Sequence, residues 1–315
     1  MATFAVTGAT GFIGRALTNV LVGQGHSIHA LTRHPTGANS RSIVYIRGTL
    51  EDRASLEALI EGTDGVIHLA GLTAALNRNA YFKTNAAGTA QLLSVLEAQT
   101  TPIPLVHISS LAAREPHLSD YSASKHAGET LVQSTTLPWT MIRPPAVYGP
   151  NDAALRPLWW LMKKGLLPAI GARHGRFSLI HVDDLAEAIS HVALLLMKDD
   201  PASSSPKHQI FEIDDQFTGE LGQGYGWDDL ATIAEAVFGR RPAMISVPRP
   251  ILSSLAALSQ GAGALRRTPS VFNLGKAREL SHLNWVTHSP PNWANIGWSP
   301  CRQLRDTLAY LSLSI

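Results

Sequence analysis

Thr7-Gly8-Ala9-Thr10-Gly11-Phe12-Ile13-Gly14 is the stretch on which the reading of this chain turns. Ahead of it, Ala2-Thr3-Phe4-Ala5-Val6 has the length and apolar character of a buried parallel strand. Behind it, Arg15-Ala16-Leu17-Thr18-Asn19-Val20-Leu21-Val22 reads as a helix. Strand, glycine turn and helix form the context that a dinucleotide fingerprint requires. Gly8 permits the tight turn, Gly11 lets the backbone approach a pyrophosphate, and Gly14 lets helix and strand pack closely. The free N–H groups at the helix start, with the positive end of its dipole, would then face the phosphates. Gly8, Thr10, Gly11, Phe12, Ile13 and Gly14 are therefore candidate cofactor contacts.

Working outward, strands and helices alternate. Ser27–Leu31, Ile43–Ile46, Gly65–Gly71, Leu105–Ser110 and Trp139–Ile142 read as strands, and 51–60, 80–98 and 120–133 as helices. This is the pattern of an α/β protein, a Rossmann-type doubly wound parallel sheet with right-handed crossovers. Beyond Pro144 the alternation loosens and Pro and Gly become frequent. The reading is a nucleotide-binding domain over 1–150, with 177–214 returning to it. A smaller C-terminal substrate lobe takes 151–176 and 215–315. Asp199–Lys207, rich in Ser and Pro, reads as a mobile loop.

Composition narrows the class. The chain has 315 residues, 45% hydrophobic and 16% charged, as a globular protein with a generous core would. Its net charge of +2 comes from scattered Lys and Arg, so no nucleic-acid partner is expected. No apolar run approaches the roughly 20 residues of a spanning helix. The lone Cys301 and a first strand beginning at residue 2 predict a cytoplasmic protein with neither disulfide nor signal peptide. The 13 histidines never fall at metal-ligand spacing, so no metal is expected.

Two features carry chemistry. At the end of the second strand, Leu31-Thr32-Arg33-His34 has no acid to bind ribose hydroxyls. Arg33 suits a 2′-phosphate instead, which predicts NADP with NADPH preferred over NADH. In Tyr121-Ser122-Ala123-Ser124-Lys125 the phenol and ammonium, four apart, share a helix face. An ammonium about 5 Å from a phenol, at an effective dielectric near 20, would lower its pKa from about 10 toward about 8. Such a phenol can exchange a proton with a carbonyl or alcohol oxygen. Ser109 and Ser110 end a strand at the carboxyl edge of the sheet, where one hydroxyl could hold the substrate oxygen.

With these residues in place, the chain resembles an extended short-chain dehydrogenase/reductase of the NAD-dependent epimerase/dehydratase superfamily. The likeness runs through Thr7–Gly14, His68-Leu69-Ala70-Gly71, Asn85-Ala86-Ala87-Gly88-Thr89, Ser109-Ser110, Tyr121, Lys125, Arg143–Pro150, His181–Ala186 and Gly297-Trp298-Ser299-Pro300. It implies Tyr121 as acid/base and Lys125 as its partner and ribose anchor. Ser110 becomes the carbonyl-orienting hydroxyl, with Ser109 as fallback. Pro144 and Val147 would lie along the nicotinamide, and Leu69, Ala70 and Gly71 beneath the cofactor. Asn85 would be a structural or relay residue. Thr49 and Leu50 stand where the family carries Asp-Leu near the adenine.

Ser110 is followed by Leu111-Ala112-Ala113 where dehydratases place an Asp-Glu pair, so water elimination lacks its acid and base. Arg176-Phe177-Ser178-Leu179-Ile180 is closer to the reductase branch, with its 3β-hydroxysteroid dehydrogenases, dihydroflavonol reductases and bacterial reductases of 3-oxo-ceramide or sphinganine. The resemblance thus implies NADP(H)-dependent reduction of a ketone on a small, apolar, lipid-like substrate. A nucleotide-sugar epimerase using the same Tyr/Lys pair is the alternative. From another class comes a cofactor-binding structural subunit like the accessory subunit of complex I. Pairing through two long helices, a family habit, implies a homodimer. Two apolar segments stay open: Trp159-Trp160 lines a substrate channel or packs on the main domain, and Ile251–Leu258 with Arg266 and Arg267 rests on a membrane surface or is an ordinary core helix.

Overall fold

The computed structural model describes residues 1–35, 39–171, 174–198, 205–288, 293 and 296–311. Its centre is a parallel seven-stranded sheet. Six strands come from the first half: β1 (Thr3–Thr7), β2 (Ser27–Thr32), β3 (Ile43–Arg47), β4 (Gly65–His68), β5 (Leu105–Ile108) and β6 (Trp139–Arg143). Strand order is β3-β2-β1-β4-β5-β6, with a late strand, Gln209–Glu212, pairing in parallel with β6 at the far edge. The order reverses between β1 and β4, the switch point where such sheets bind ligands. Register aligns Thr7 with His68 and His68 with His107, so these residues line the carboxyl edge together.

The strands are apolar on both sides because helices cover both faces. Phe4, Val6, Ile67, Val106 and Ile142 point to one face and meet α1 (Phe12–Gly23) and the helix Val182–Lys198. Ala5, Val66, Leu105 and Met141, each one residue out of phase, point to the other. There they meet α2 (Arg53–Ile60), α4 (Gly88–Glu97) and α5 (Asp120–Ser134), while α3 (Arg78–Phe82) precedes α4 and packs on α5. Between α3 and α4 the chain makes a π turn, Lys83–Ala87, so the helix expected over 80–98 contains a widened turn around Asn85.

Within 177–214, Gln209–Glu212 extends the main sheet and Val182–Lys198 packs on it. Leu179–His181 pairs instead with Ala146–Tyr148 in a separate two-stranded sheet. A third apolar cluster joins Tyr148, Trp159, Leu167, Tyr225, Leu230 and Leu308. Trp159 is buried in it, whereas Trp160 is half exposed beside Lys164. Of the loop expected at Asp199–Lys207, residues 199–204 lie outside the described residues. No helix among the described residues is long and apolar enough to cross a membrane.

Candidate active site

The β1–α1 turn is built by close contact. Gly8 has φ +75, and a Cβ there would fall 2.7 Å from the Ala70 backbone nitrogen. A Cβ on Gly14 would meet the Gly8 carbonyl at 2.1 Å, so the helix start rests directly on the turn. Gly11 caps α1 without a side-chain hydrogen bond, and the first turn carries no acid. The first N–H groups of α1, at Phe12, Ile13 and Gly14, precede the first helical bond, from Arg15 to Gly11. Thr10 and Gly11 are exposed. These donors and this glycine-lined surface fit a dinucleotide pyrophosphate.

Around that turn stand the other candidates. Leu69, Ala70 and Gly71 follow β4 directly, and a Cβ on Gly71 would lie 3.8 Å from Lys125 Nζ. Arg33 is exposed just past β2, with no side-chain partner among the described residues. Leu50 is buried against Gly88 of α4, and Thr49 accepts from the Ser55 hydroxyl. Pro144 is buried beyond β6, its carbonyl bonded to Leu111 N–H, and Val147 is partly buried.

The chemistry-bearing residues converge from β5 and α5. Ser119 caps α5 by accepting from Ser122 N–H. The helix it starts carries Tyr121 toward Ser110, whose hydroxyl lies beside the phenol and accepts from Ala112 N–H. Ser109 points elsewhere, its hydroxyl buried and unpartnered among the described residues. Lys125 Nζ is buried and donates to the Ile108 carbonyl at 2.8 Å. Burial pulls its pKa down to about 8, against the pull of Glu129. Burial pushes the Tyr121 phenol up to about 12; the Ser110 hydroxyl opposes this, while Glu279 and Tyr81 add to it. The direction is opposite to the one expected from the Tyr-Lys spacing. Desolvation outweighs the Ser110 hydroxyl, and the Lys125 ammonium is turned onto a backbone carbonyl.

A hydrogen-bond chain that sequence reasoning missed fixes the floor of the site. Ala70 N–H donates to Thr7 Oγ1 at 3.2 Å, and Thr7 Oγ1 lies 2.6 Å from His68 Nδ1. His68 Nε2 lies 3.0 Å from Thr89 Oγ1, which donates to the Asn85 carbonyl at 2.9 Å. A hydroxyl has one proton, so Thr89 accepts from His68 Nε2 and Thr7 donates to Nδ1. Burial, with Lys125 nearby, lowers the His68 pKa to about 3 and keeps the ring neutral. The Asn85 side chain clamps Leu72, accepting from its N–H at 2.7 Å and donating to its carbonyl at 3.0 Å. Its amide also donates to Ser124 Oγ at 2.8 Å. The signal was present in the His68–Gly71 and Asn85–Thr89 motifs, but pairing them needs the fold.

Charged support was equally hidden. Arg143 holds Glu129 through two bonds of 2.8 and 2.7 Å and reaches Glu212, which also binds Arg114. Asp183 and Asp184 open the helix Val182–Lys198, yet buried Asp184 reaches away to Arg302. Asp184, Glu187 and Cys301 cluster closely enough to hold an ion, but Arg302 occupies both carboxylates.

Fold and site together define an NAD(P)-dependent oxidoreductase of the short-chain dehydrogenase/reductase type. The chain belongs to the NAD dependent epimerase/dehydratase family, whose model matches residues 4–202. It is 34% identical to a ceramide reductase of Caulobacter vibrioides over 91% of this chain and 86% of that protein. It is 25% identical to NADH dehydrogenase [ubiquinone] 1 alpha subcomplex subunit 9 of Arabidopsis thaliana, over 88% of this chain and 69% of that one. A human epimerase family protein, solved with NADPH, shares its fold, with a TM-score of 0.72 and 19% identity over 100% of both chains.

Proposed function

We propose that this protein reduces a ketone on an apolar, lipid-like substrate of the 3-oxo-sphinganine or ceramide class, using NADPH. The observation that carries the reading is the convergence of Ser110 on the Tyr121 phenol, with Lys125 close to Gly71. Similarity to the Caulobacter ceramide reductase supports the substrate class.

When bound, the nicotinamide supplies the hydride. The N–H groups of Phe12, Ile13 and Gly14 hold the pyrophosphate, and Lys125 donates to the ribose. Ser110 hydrogen-bonds the substrate oxygen and orients the carbonyl. Tyr121 gives that oxygen its proton; a phenol pushed up to about 12 is fully protonated at neutral pH, the form reduction needs. Arg33, exposed past β2 and without a side-chain partner among the described residues, supports the choice of NADPH, because a guanidinium there can pair with a 2′-phosphate.

A panel of 3-keto lipids, flavonoid-like ketones and UDP-sugars, followed by nicotinamide absorbance, tests the reading. Keto lipids should oxidise NADPH stoichiometrically. UDP-sugar interconversion without net absorbance change, and no ketone turnover, would make the protein an epimerase. The likeness to the plant complex I subunit favours one other reading, a cofactor-holding structural subunit. Tight NADPH binding with no turnover of any substrate would select it. In calorimetry NADPH should bind at least about tenfold more tightly than NADH, one charge-assisted contact being worth about 1.5–3 kcal/mol. Arg33→Ala should erase that difference; an unchanged preference would remove the role of Arg33.

A further inference from the structure

The helix Arg249–Leu265 buries little of itself. Leu252 and Ala256 are its buried residues, and they pack with Ala277 of the helix Leu274–Leu280. Ile251, Leu255, Leu258, Ala262 and Leu265 recur at spacings of three and four residues along a stripe beside that buried row. All five are exposed, with Leu258 at 71% and Leu265 at 89%. Val271 and Ile245, on flanking segments, are more than half exposed as well. At ~1.5 Å per residue such a helix is about 25 Å long, so the stripe is an extended apolar ridge. A continuous exposed apolar surface of this kind marks an interaction site.

Charge identifies the partner. Between Glu235 and Glu279 the sequence holds seven Lys and Arg residues and no Asp or Glu, although the whole chain carries only +2. Arg249 stands at the start of the helix, and Arg266 and Arg267 follow its end, both exposed. An apolar ridge flanked by cations and free of acids is complementary to a bilayer surface rich in anionic phospholipid. A protein partner would have to present an equally long acid-rimmed groove; a membrane presents that chemistry everywhere.

We infer that the helix Arg249–Leu265 is a membrane-docking element. Its apolar stripe lies at the headgroup–acyl boundary of an anionic membrane, and Arg249, Arg266 and Arg267 contact lipid phosphates. The placement has a consequence for the active site. The helix packs on Leu274–Leu280, whose Glu279 binds Ser119 and Ser122 at the start of α5, beside Tyr121. Docking would thus bring the membrane to within one helical layer of the Tyr121 segment. The inference stands without the ketoreductase reading, since it concerns a surface outside the Tyr121–Lys125 site.

The test is sedimentation of the full chain with vesicles of phosphatidylcholine alone or mixed with phosphatidylglycerol. The protein should pellet with the mixed vesicles and remain in solution with phosphatidylcholine. Salt near 1 M, which shortens the Debye length to about 3 Å, should weaken binding. Leu255→Glu with Leu258→Glu should abolish pelleting. Arg266→Glu with Arg267→Glu should lower the partition coefficient by at least about tenfold. Both variants should melt normally and bind NADPH normally, because they lie on the surface away from the glycine turn. Wild-type protein that stays in solution, or variants that pellet like it, would overturn the inference. So would light scattering showing a dimer that the double Glu variant dissociates, since a second copy would then cover the stripe. None of these readouts depends on turnover, so failure of the ketone panel leaves them unaffected.

Discussion

Tyr121 shows how much a single residue's state depends on what surrounds it. Its phenol, pushed up by burial to about 12, stays protonated through the neutral range. Reduction should therefore vary little between about pH 6 and 8, whereas the reverse oxidation, which needs the phenolate, should quicken as pH rises. Parallel pH–rate profiles of the two directions check this, and a reverse rate that falls with pH would contradict it. Tyr121→Phe should cost about 10²–10⁴ in turnover with NADPH affinity nearly intact. Lys125→Met should impair both, because the ammonium reaches the cofactor side of Gly71 as well as the phenol's helix face. The two losses should fall far short of adding. Full activity in Tyr121→Phe would end the mechanism.

His68 matters at the same scale as a neutral spacer between two hydroxyls. His68→Phe keeps the bulk but leaves the Thr7 hydroxyl proton without an acceptor, while Thr89 still donates to the Asn85 carbonyl; the unpaired donor should cost about 1–3 kcal/mol. Urea unfolding reads the loss. NADPH titration should show weaker binding too, since Ala70 hangs from Thr7.

Among elements, the contact that aligns the site is α5 against the π turn. A Cβ on Gly128 would stand 2.6 Å from the Asn85 carbonyl, so α5 approaches only because residue 128 lacks one. Gly128→Ala must shift α5, and Tyr121 and Lys125 with it. Overpacking of this kind costs about 1–3 kcal/mol. The expected outcome is lower thermal stability and a drop in kcat larger than any change in cofactor affinity. Unchanged kcat would show that α5 does not set the phenol's position. The helix itself was readable over 120–133, and its Tyr-Lys spacing with it. Its distance from Asn85 was not, because Gly128 acquires meaning only once the π turn lies across it.

For the whole molecule, Asp215 couples the end of the sheet to the C-terminal segment. Its carboxylate accepts from Tyr225 at 2.6 Å and Tyr148 at 3.3 Å, and its carbonyl accepts from Gln303. Burial raises its pKa to about 7, despite those hydrogen bonds. A carboxyl raised above its unfolded value near about 3.9 lends stability below that value and loses it as pH climbs through 7. The melting-temperature difference between wild type and Asp215→Asn should therefore favour wild type more at pH 5 than at pH 8. Comparing variants is essential, because buried His68 and His107, with lowered pKa values, lose stability in the opposite sense on acidification. A pH-independent difference would remove Asp215 from the account.

The sequence alone determined the alternating architecture, the glycine turn, and the Tyr121, Lys125 and Ser110 candidates. Each of those signals lies within a few residues of chain, where strand and helix periods and turn chemistry are set by local sterics. Only tertiary structure decided which serine meets the phenol, how Lys125 spends its charge, and that burial drives the phenol up. It also decided the His68 chain, joining residues 7, 68, 85 and 89, and the pairing of Arg114 with Glu212 across 98 positions. Such contacts form when distant segments return to one sheet edge, and a protonation state follows from the water those segments exclude. Neither the return nor the exclusion has a period that a linear pattern can carry.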